Sequence, residues 1–122
     1  PFRTVINSNP RFGMMVVHTS AAELYDRLWC VYEVNASADS KVMCFGAMSM
    51  KYFQDVMGKQ LIHKHSSEEI CRCDTEEAKC WSKDDERMIK STIEGGIGYK
   101  ILNEKILNFR IGACEAQANA LE

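Results

Sequence analysis

Five side chains of the kinds that bind zinc follow one another near the middle of the chain. They are His63, His65, Cys71, Cys73 and Cys80, in the spacing H-x-H-x5-C-x-C-x6-C. Imidazole nitrogens and thiolate sulfurs form tetrahedral zinc sites, although the common sites contain paired C-x2-C ligands. The stretch therefore has two interpretations: a zinc site, or a polar loop that carries two half-exposed thiols and one buried thiol.

A carboxylate that could do chemistry lies earlier, in the sequence Arg-Leu-Trp-Cys-Val-Tyr-Glu that ends at Glu33. A carboxylate can stabilise the oxocarbenium-like centre that forms when a bond to a sugar carbon breaks. The ordinary alternative is a solvated glutamate on a helix surface. In the same motif Trp29 has the spacing of a core residue, and Cys30 has no visible partner that would activate its thiol.

A strand and a helix are predicted to position this motif. The apolar run Met14–Val17 predicts a strand covered on both faces. The helix that follows has two alternative starts. Ser20 and Glu23 have the S-x-x-E spacing of a capping box, whereas a start near Asp26 would bring Glu33 towards the carboxyl edge of the sheet. The helix would bury one stripe and expose a polar one. The buried stripe contains Leu24, Leu28 and Val31, and the polar stripe Asp26, Cys30, Glu33 and Ser37.

Further elements follow the first strand and helix. A second strand is predicted at Lys41–Phe45 and is ended by Gly46, so that the strand–helix–strand order indicates a parallel sheet. A helix at Ser49–Met57 stops at Gly58. Before the first strand, Phe2–Ser8 is predicted to be the end of a helix.

The last third of the chain is predicted to be helical. Ser66 with Glu69 is a second capping-box spacing, and Ser82 precedes an acidic helix start that suits the helix dipole. The first long helix would bury Ile89 and Ile93. The second, Tyr99–Arg110, would bury three residues at i, i+4 and i+7, namely Leu102, Ile106 and Phe109. A glycine-rich turn between the two helices predicts a helical hairpin, and the alanine-rich stretch Cys114–Glu122 is predicted to be a frayed helix.

The order of these motifs resembles that of a known family. The apolar strand, the small hydroxyl residue Thr19 and the Trp29-Cys30-x-x-Glu33 motif are similar to the WCxxE region of Toll/interleukin-1 receptor (TIR) domains, over about the first third of the chain. In members that cleave NAD the glutamate of this motif is catalytic. The resemblance therefore implies that Glu33 is a catalytic carboxylate and that His18, Thr19, Trp29 and Cys30 line a pocket for NAD.

The resemblance also implies a fold and a domain organisation. It implies an α/β, flavodoxin-like parallel sheet with flanking helices, in a single TIR-like domain over 1–122 that lacks the N-terminal strands of the family. Residues 1–65 would form a βαβα core, 66–81 a cysteine-rich loop, and 82–122 the helical hairpin and tail. On this interpretation the chain is a fragment, or a reduced relative that borrows its missing neighbours from a partner.

Composition excludes several classes of function. The chain has 122 residues, a length that suffices for one domain. Its net charge of −2 gives no basic surface for nucleic acid. No apolar run approaches the roughly 20 residues that span a bilayer. Cys30 in a predicted helix and Cys44 in a predicted strand favour free thiols among the six cysteines, and hence an intracellular, reducing compartment. The chain begins without Met, which is compatible with a removed targeting segment.

Two functional hypotheses follow. The first is a non-catalytic interaction or assembly module, an accessory subunit of a larger complex, with a protein partner that covers the open edge of the sheet and without a cofactor. The second is a TIR-type NAD hydrolase with Glu33 as its carboxylate. A contact surface at Met14–Val17 or Phe109 would favour assembly, and a concave pocket lined by Glu33, His18 and Trp29 would favour the enzyme.

Overall fold

The computed structural model of the chain describes Ile6, Ser8, Arg11 and residues 13–121. The predicted helix end at Phe2–Ser8 lies largely outside these residues. The elements described are a strand β1, a 3-10 turn, a helix α1, a strand β2, helices α2 and α3, a second 3-10 turn, and helices α4 and α5. In that order they span Met14–His18, Leu24–Asp26, Leu28–Asp39, Cys44–Met48, Met50–Leu61, Ser67–Cys71, Thr75–Glu77, Lys83–Gly95 and Tyr99–Ala120.

The two strands form a parallel sheet, as the strand–helix–strand order predicts. Met14 lies opposite Cys44, and His18 lies opposite Met48. The predicted position of the second strand is wrong, because it begins at Cys44 and passes through Gly46 instead of ending there. Gly46 is needed for close packing: a Cβ atom at this position would lie 2.6 Å from the Cβ atom of Ala113 on α5. The glycine therefore lets a helix approach the sheet and does not break the strand.

Helix α5 covers one face of this sheet and leaves the other face open. Val16 and His18 are buried on the covered face, whereas Met15 and Val17 are 67% and 50% exposed. The prediction that the first strand is covered on both faces is therefore wrong. A two-stranded parallel sheet has few neighbouring elements. Among the described residues, helix α5 packs on β2 from the covered face.

The helix after β1 takes the later of its two predicted starts. Leu28 is its first residue, and the preceding segment forms the 3-10 turn. Ser20 does not cap it, because its hydroxyl donates to the Oδ2 atom of Asp55 at 2.6 Å. The predicted polar stripe is also partly wrong: Asp26 precedes the helix, and Ser37 is fully buried, with its hydroxyl donating to the carbonyl of Glu33 at 2.9 Å.

The main hydrophobic core lies among the helices. It contains eight buried residues from α1, α4, α5 and the segments before them: Tyr25, Leu28, Val31, Ala78, Ile89, Ile93, Leu102 and Ile106. The predicted helical stripes are confirmed in part: Leu24 lies in the 3-10 turn before α1 and is only partly buried, and Phe109 on α5 is half-buried while Arg110 beside it is buried. An isolated parallel bridge pairs Arg27 with Lys79 and so joins the cysteine-rich loop (66–81) to the start of α1. A smaller cluster of Ile6, Ala36 and Val42 lies beneath the amino end of β1.

Helix boundaries show which capping predictions hold. Ser66 and Glu69 form both hydrogen bonds of a capping box at α3, and the Ser82 hydroxyl accepts from the amide of Asp85 at α4. Helix α2 does not stop at Gly58 and continues to Leu61, since Phe53 and Val56 anchor it and a glycine costs a helix interior only about 1 kcal/mol. Within the described part of the chain, no helix is long and apolar enough to cross a membrane.

Candidate functional site

The predicted zinc ligands lie in different surroundings. His63 and His65 are exposed, with ring centroids 6.1 Å apart, whereas Cys71 is fully buried. Cys73 and Cys80 are half-buried against the helical core. Among the described residues, no three His, Cys, Asp or Glu side chains are placed to hold a metal ion.

The residues of the proposed NAD pocket are also distributed over separate surfaces. Glu33 and Cys30 line a small cavity of about 140 Å³ beside the length of β1. Trp29 lines another cavity, with Trp81 and Lys79, while Thr19 lines a third, beyond the carboxyl end of the strand. Burial raises the pKa of Glu33, an effect that the charge of Arg27 opposes. Burial likewise raises the pKa of the Cys30 thiol.

His18 lies at the carboxyl end of β1 and belongs to a buried polar cluster. Its Nδ1 atom is 2.9 Å from the carbonyl oxygen of Ala47, and its Nε2 atom is 2.8 Å from the hydroxyl of Tyr25. A carbonyl oxygen only accepts, so Nδ1 carries the hydrogen. Burial lowers the pKa of His18, which favours the neutral ring. The Tyr25 hydroxyl therefore donates to Nε2, and burial raises the pKa of this tyrosine well above its ordinary range.

Arg110 on α5 joins the cluster to the loop after β1. The side chain is 4% exposed, and its guanidinium donates to both oxygens of the Glu23 carboxylate at 3.1 and 3.2 Å. It also donates to the hydroxyl of Tyr52 and lies 5.1 Å from the ring centroid of Tyr25. This bidentate ion pair fixes the loop against α5, with two aromatic rings beside the cation. The Arg110 Nε atom is buried without a hydrogen-bond partner.

Two thiols lie next to this arginine. Cys71 ends α3 and is fully buried, whereas Cys114 lies half-buried on α5. Interaction with the Cys114 thiol and the charge of Arg110 lower the pKa of Cys71 to about 7, against the opposing effect of burial. Interaction with the Cys71 thiol and burial raise the pKa of Cys114.

The polar cluster borders a cavity of about 240 Å³ at the carboxyl edge of the sheet, where open α/β folds bind ligands. Six of its lining residues are polar: Thr19, Ser20, Glu23, Tyr52, Asp55 and Lys59. Of these six residues, only Thr19 was predicted from the sequence to belong to a functional site. A signal for the cluster was present, because Arg110 continues the buried stripe of Leu102 and Ile106 at a spacing of four residues. A cation on such a stripe needs a buried anionic partner.

The open face of the sheet forms a second candidate site. Met15 and Phe45 are neighbours in the parallel register, and Val17 follows Met15 on the same face. Phe45 is 46% exposed, and Met43, two residues before it, is 66% exposed. We call the surface formed by Met15, Val17, Met43 and Phe45 the apolar face.

Comparisons with family models, with curated proteins and with solved structures gave no match to this chain. The resemblance to TIR domains consequently stays a prediction from sequence.

Proposed function

We propose that the protein is a non-catalytic assembly module that binds an amphipathic helix of a protein partner on the apolar face. The observation that carries the proposal is the exposure of Met15, Val17, Met43 and Phe45 side by side on one face of a parallel sheet. Parallel strands in proteins are normally covered on both faces, and contiguous exposed apolar surface marks interaction sites.

The dimensions of the face favour a single helix as its occupant. Two strands lie about 4.8 Å apart, so with their side chains they match the diameter of about 10 Å of one α-helix. Five strand residues extend about 16 Å, which corresponds to about three turns of helix. Helix α5 covers the opposite face in the same way, through its contact at Gly46.

The chemistry of the face specifies the partner further. Methionine side chains are flexible and polarisable, and they adapt to the apolar stripe of a partner helix. The groove between β1 and α1 continues the face, since Met15 and Val17 also line it, and Glu33 lies in that groove. A lysine or arginine beside the apolar stripe of the partner would pair with this carboxylate.

The NAD-cleaving alternative would need Glu33 near the carboxyl edge of the sheet. Its raised pKa and partial burial are compatible with a reactive carboxylate. However, the cavity it lines runs along β1, and neither His18 nor Trp29 belongs to the lining of that cavity. The assembly proposal therefore has the stronger support.

Photo-methionine crosslinking of the native complex tests the proposal. The chain contains seven methionines, of which Met15 and Met43 lie on the apolar face. Met50 and Met88 have comparable exposure elsewhere, at 48% and 46%, and serve as internal controls. We expect crosslinks from Met15 and Met43 to one helical segment of a different protein, and none from Met50 or Met88 to that segment.

Matched variants complete the test. Val17→Glu should abolish this crosslinking, whereas Leu61→Glu, at a 75% exposed position on α2, should preserve it. Both substitutions are at the surface and should change the free energy of unfolding by about 0.5 kcal/mol or less. Crosslinks to a second copy of the chain, equal labelling from all four methionines, or an unchanged complex with Val17→Glu would each contradict the proposal.

A further inference from the structure

The cavity beside the polar cluster, which we call the edge cavity, lies between the loop after β1 and helix α2. Thr19, Ser20 and Glu23 line it from the loop, and Tyr52 and three further residues line it from the helix. Its volume of about 240 Å³ is somewhat below the range of about 300–1,000 Å³ that holds drug-sized ligands. The edge cavity therefore suits a small molecule built on one ring.

The polar groups of the edge cavity are held in place by hydrogen bonds within the protein. The buried guanidinium of Arg110 donates to both oxygens of the Glu23 carboxylate. It also donates to the hydroxyl of Tyr52, a bond that leaves the hydrogen of this hydroxyl for a ligand. The Ser20 hydroxyl donates to the Oδ2 atom of Asp55 at 2.6 Å. Because these groups are already positioned, a ligand would order few side chains when it binds.

Both signs of charge line the edge cavity. Glu23 and Asp55 carry carboxylates, and Lys59 carries an ammonium group. The hydrogen bond from Ser20 lowers the pKa of Asp55, so that this carboxylate is ionised at neutral pH. The two carboxylates repel an anionic ligand, and Lys59 repels a cationic one. Hydroxyl groups interact favourably with both signs, because they donate to carboxylates and accept from an ammonium group.

The remaining lining residues are apolar: Ala22, Val56 and Ile70. Apolar walls with a few fixed polar groups are typical of sites for small ligands. A sugar ring matches both kinds of surface, since its faces carry C–H groups and its rim carries hydroxyl groups. We propose that the edge cavity binds a neutral monosaccharide, whose hydroxyl groups donate to Asp55 and Glu23 and accept from Lys59 and the hydroxyl of Tyr52. This site shares no lining residue with the apolar face and does not depend on the assembly function.

Titration of the isotopically labelled full chain with sugars, followed through its backbone amide chemical shifts, tests the site. Glucose, galactose, mannose and ribose cover different arrangements of hydroxyl groups. We expect at least one of them to shift the amide signals of Ser20, Glu23 and Asp55 with a Kd of about 1 mM, an affinity ordinary for a ligand of about a dozen non-hydrogen atoms. The phosphate ester of the same sugar should bind at least about tenfold more weakly, because the carboxylates repel it.

Matched variants separate this site from unspecific binding. Asp55→Asn replaces one acceptor oxygen by a donor and should weaken sugar binding by about tenfold, the effect of one hydrogen bond to a charged group. Asp84→Asn makes the same change at an 87% exposed side chain that does not line the cavity, and should leave the Kd unchanged. No shift of these amides by any neutral sugar at about 50 mM would overturn the proposal. Tighter binding of the phosphate ester, or equal weakening by both variants, would also overturn it.

Discussion

The contact between Gly46 and Ala113 gives the sharpest test of how α5 lies on the sheet. Gly46→Ala places a Cβ atom 2.6 Å from the Cβ atom of Ala113 and 3.3 Å from the Cζ atom of Phe109. Carbon atoms prefer separations of about 3.5–4.0 Å. Helix α5 must therefore move away from β2 by about 1 Å, or the strand must bend.

The expected loss of stability follows from two opposing effects. Overpacking of a well-packed contact costs about 1–3 kcal/mol. Alanine restricts the unfolded chain more than glycine does and so returns about 0.5–1 kcal/mol. The free energy of unfolding should therefore fall by about 1–2 kcal/mol in Gly46→Ala.

Urea denaturation followed by tryptophan fluorescence measures this change, because Trp29 packs against the core and stacks edge-on with Tyr32. Ala113→Gly is the matched second variant. Alone it should cost about 1 kcal/mol through helix propensity, but combined with Gly46→Ala it removes the methyl group in conflict. The double variant should therefore be more stable than the sum of the single effects predicts, by about 1 kcal/mol or more. Additive effects within about 0.5 kcal/mol would refute the packing of α5 on β2 derived above.

Three further predictions concern the polar cluster and Glu33. Because burial lowers the pKa of His18, the unfolded chain binds a proton that the folded chain does not. The free energy of unfolding should therefore fall as the pH decreases below about 6.5, by at most about 1.4 kcal/mol per pH unit. When the urea midpoint is measured as a function of pH, His18→Gln should flatten this slope and His63→Gln should not. Arg110→Met should lower the free energy of unfolding by about 2–3 kcal/mol, since it leaves the half-exposed Glu23 carboxylate and the Tyr52 hydroxyl without their donor. An unchanged midpoint of urea denaturation would contradict the buried ion pair. When each protein is incubated with NAD and released nicotinamide is measured by chromatography, the unsubstituted protein should release it no faster than Glu33→Ala does. Release by the unsubstituted protein alone would favour the enzyme hypothesis instead.

The sequence predicted those features that depend on local periodicity. The buried positions Leu28, Val31, Ile89 and Ile93 follow the helical repeat, and all four are fully buried. The capping residues Ser66 and Ser82 follow from side-chain chemistry that acts within one helical turn. Such patterns need no knowledge of the rest of the chain.

Errors arose where distant contacts override local preference. Glu23 has the spacing of a helix cap with Ser20, but its carboxylate binds Arg110, which is 87 positions away. Gly46 has the composition of a strand end, but the approach of Ala113 requires a glycine within the strand. In both cases the partner lies on α5, so the local sequence could not indicate the outcome.

Helix α5 couples the polar cluster to the sheet. Arg110 and Ala113 are neighbouring contacts on its buried side, with Glu23 and with Gly46 respectively. A displacement of the helix at Gly46 must then move Arg110 relative to Glu23, because closely packed elements transmit a shift to neighbouring residues of the same turn. The destabilising effects of Gly46→Ala and Arg110→Met should consequently not add, since the displaced helix already weakens the ion pair. Additive losses within about 0.5 kcal/mol would place the strain in β2 instead, since only a bend of the strand could absorb the new methyl group without moving Arg110.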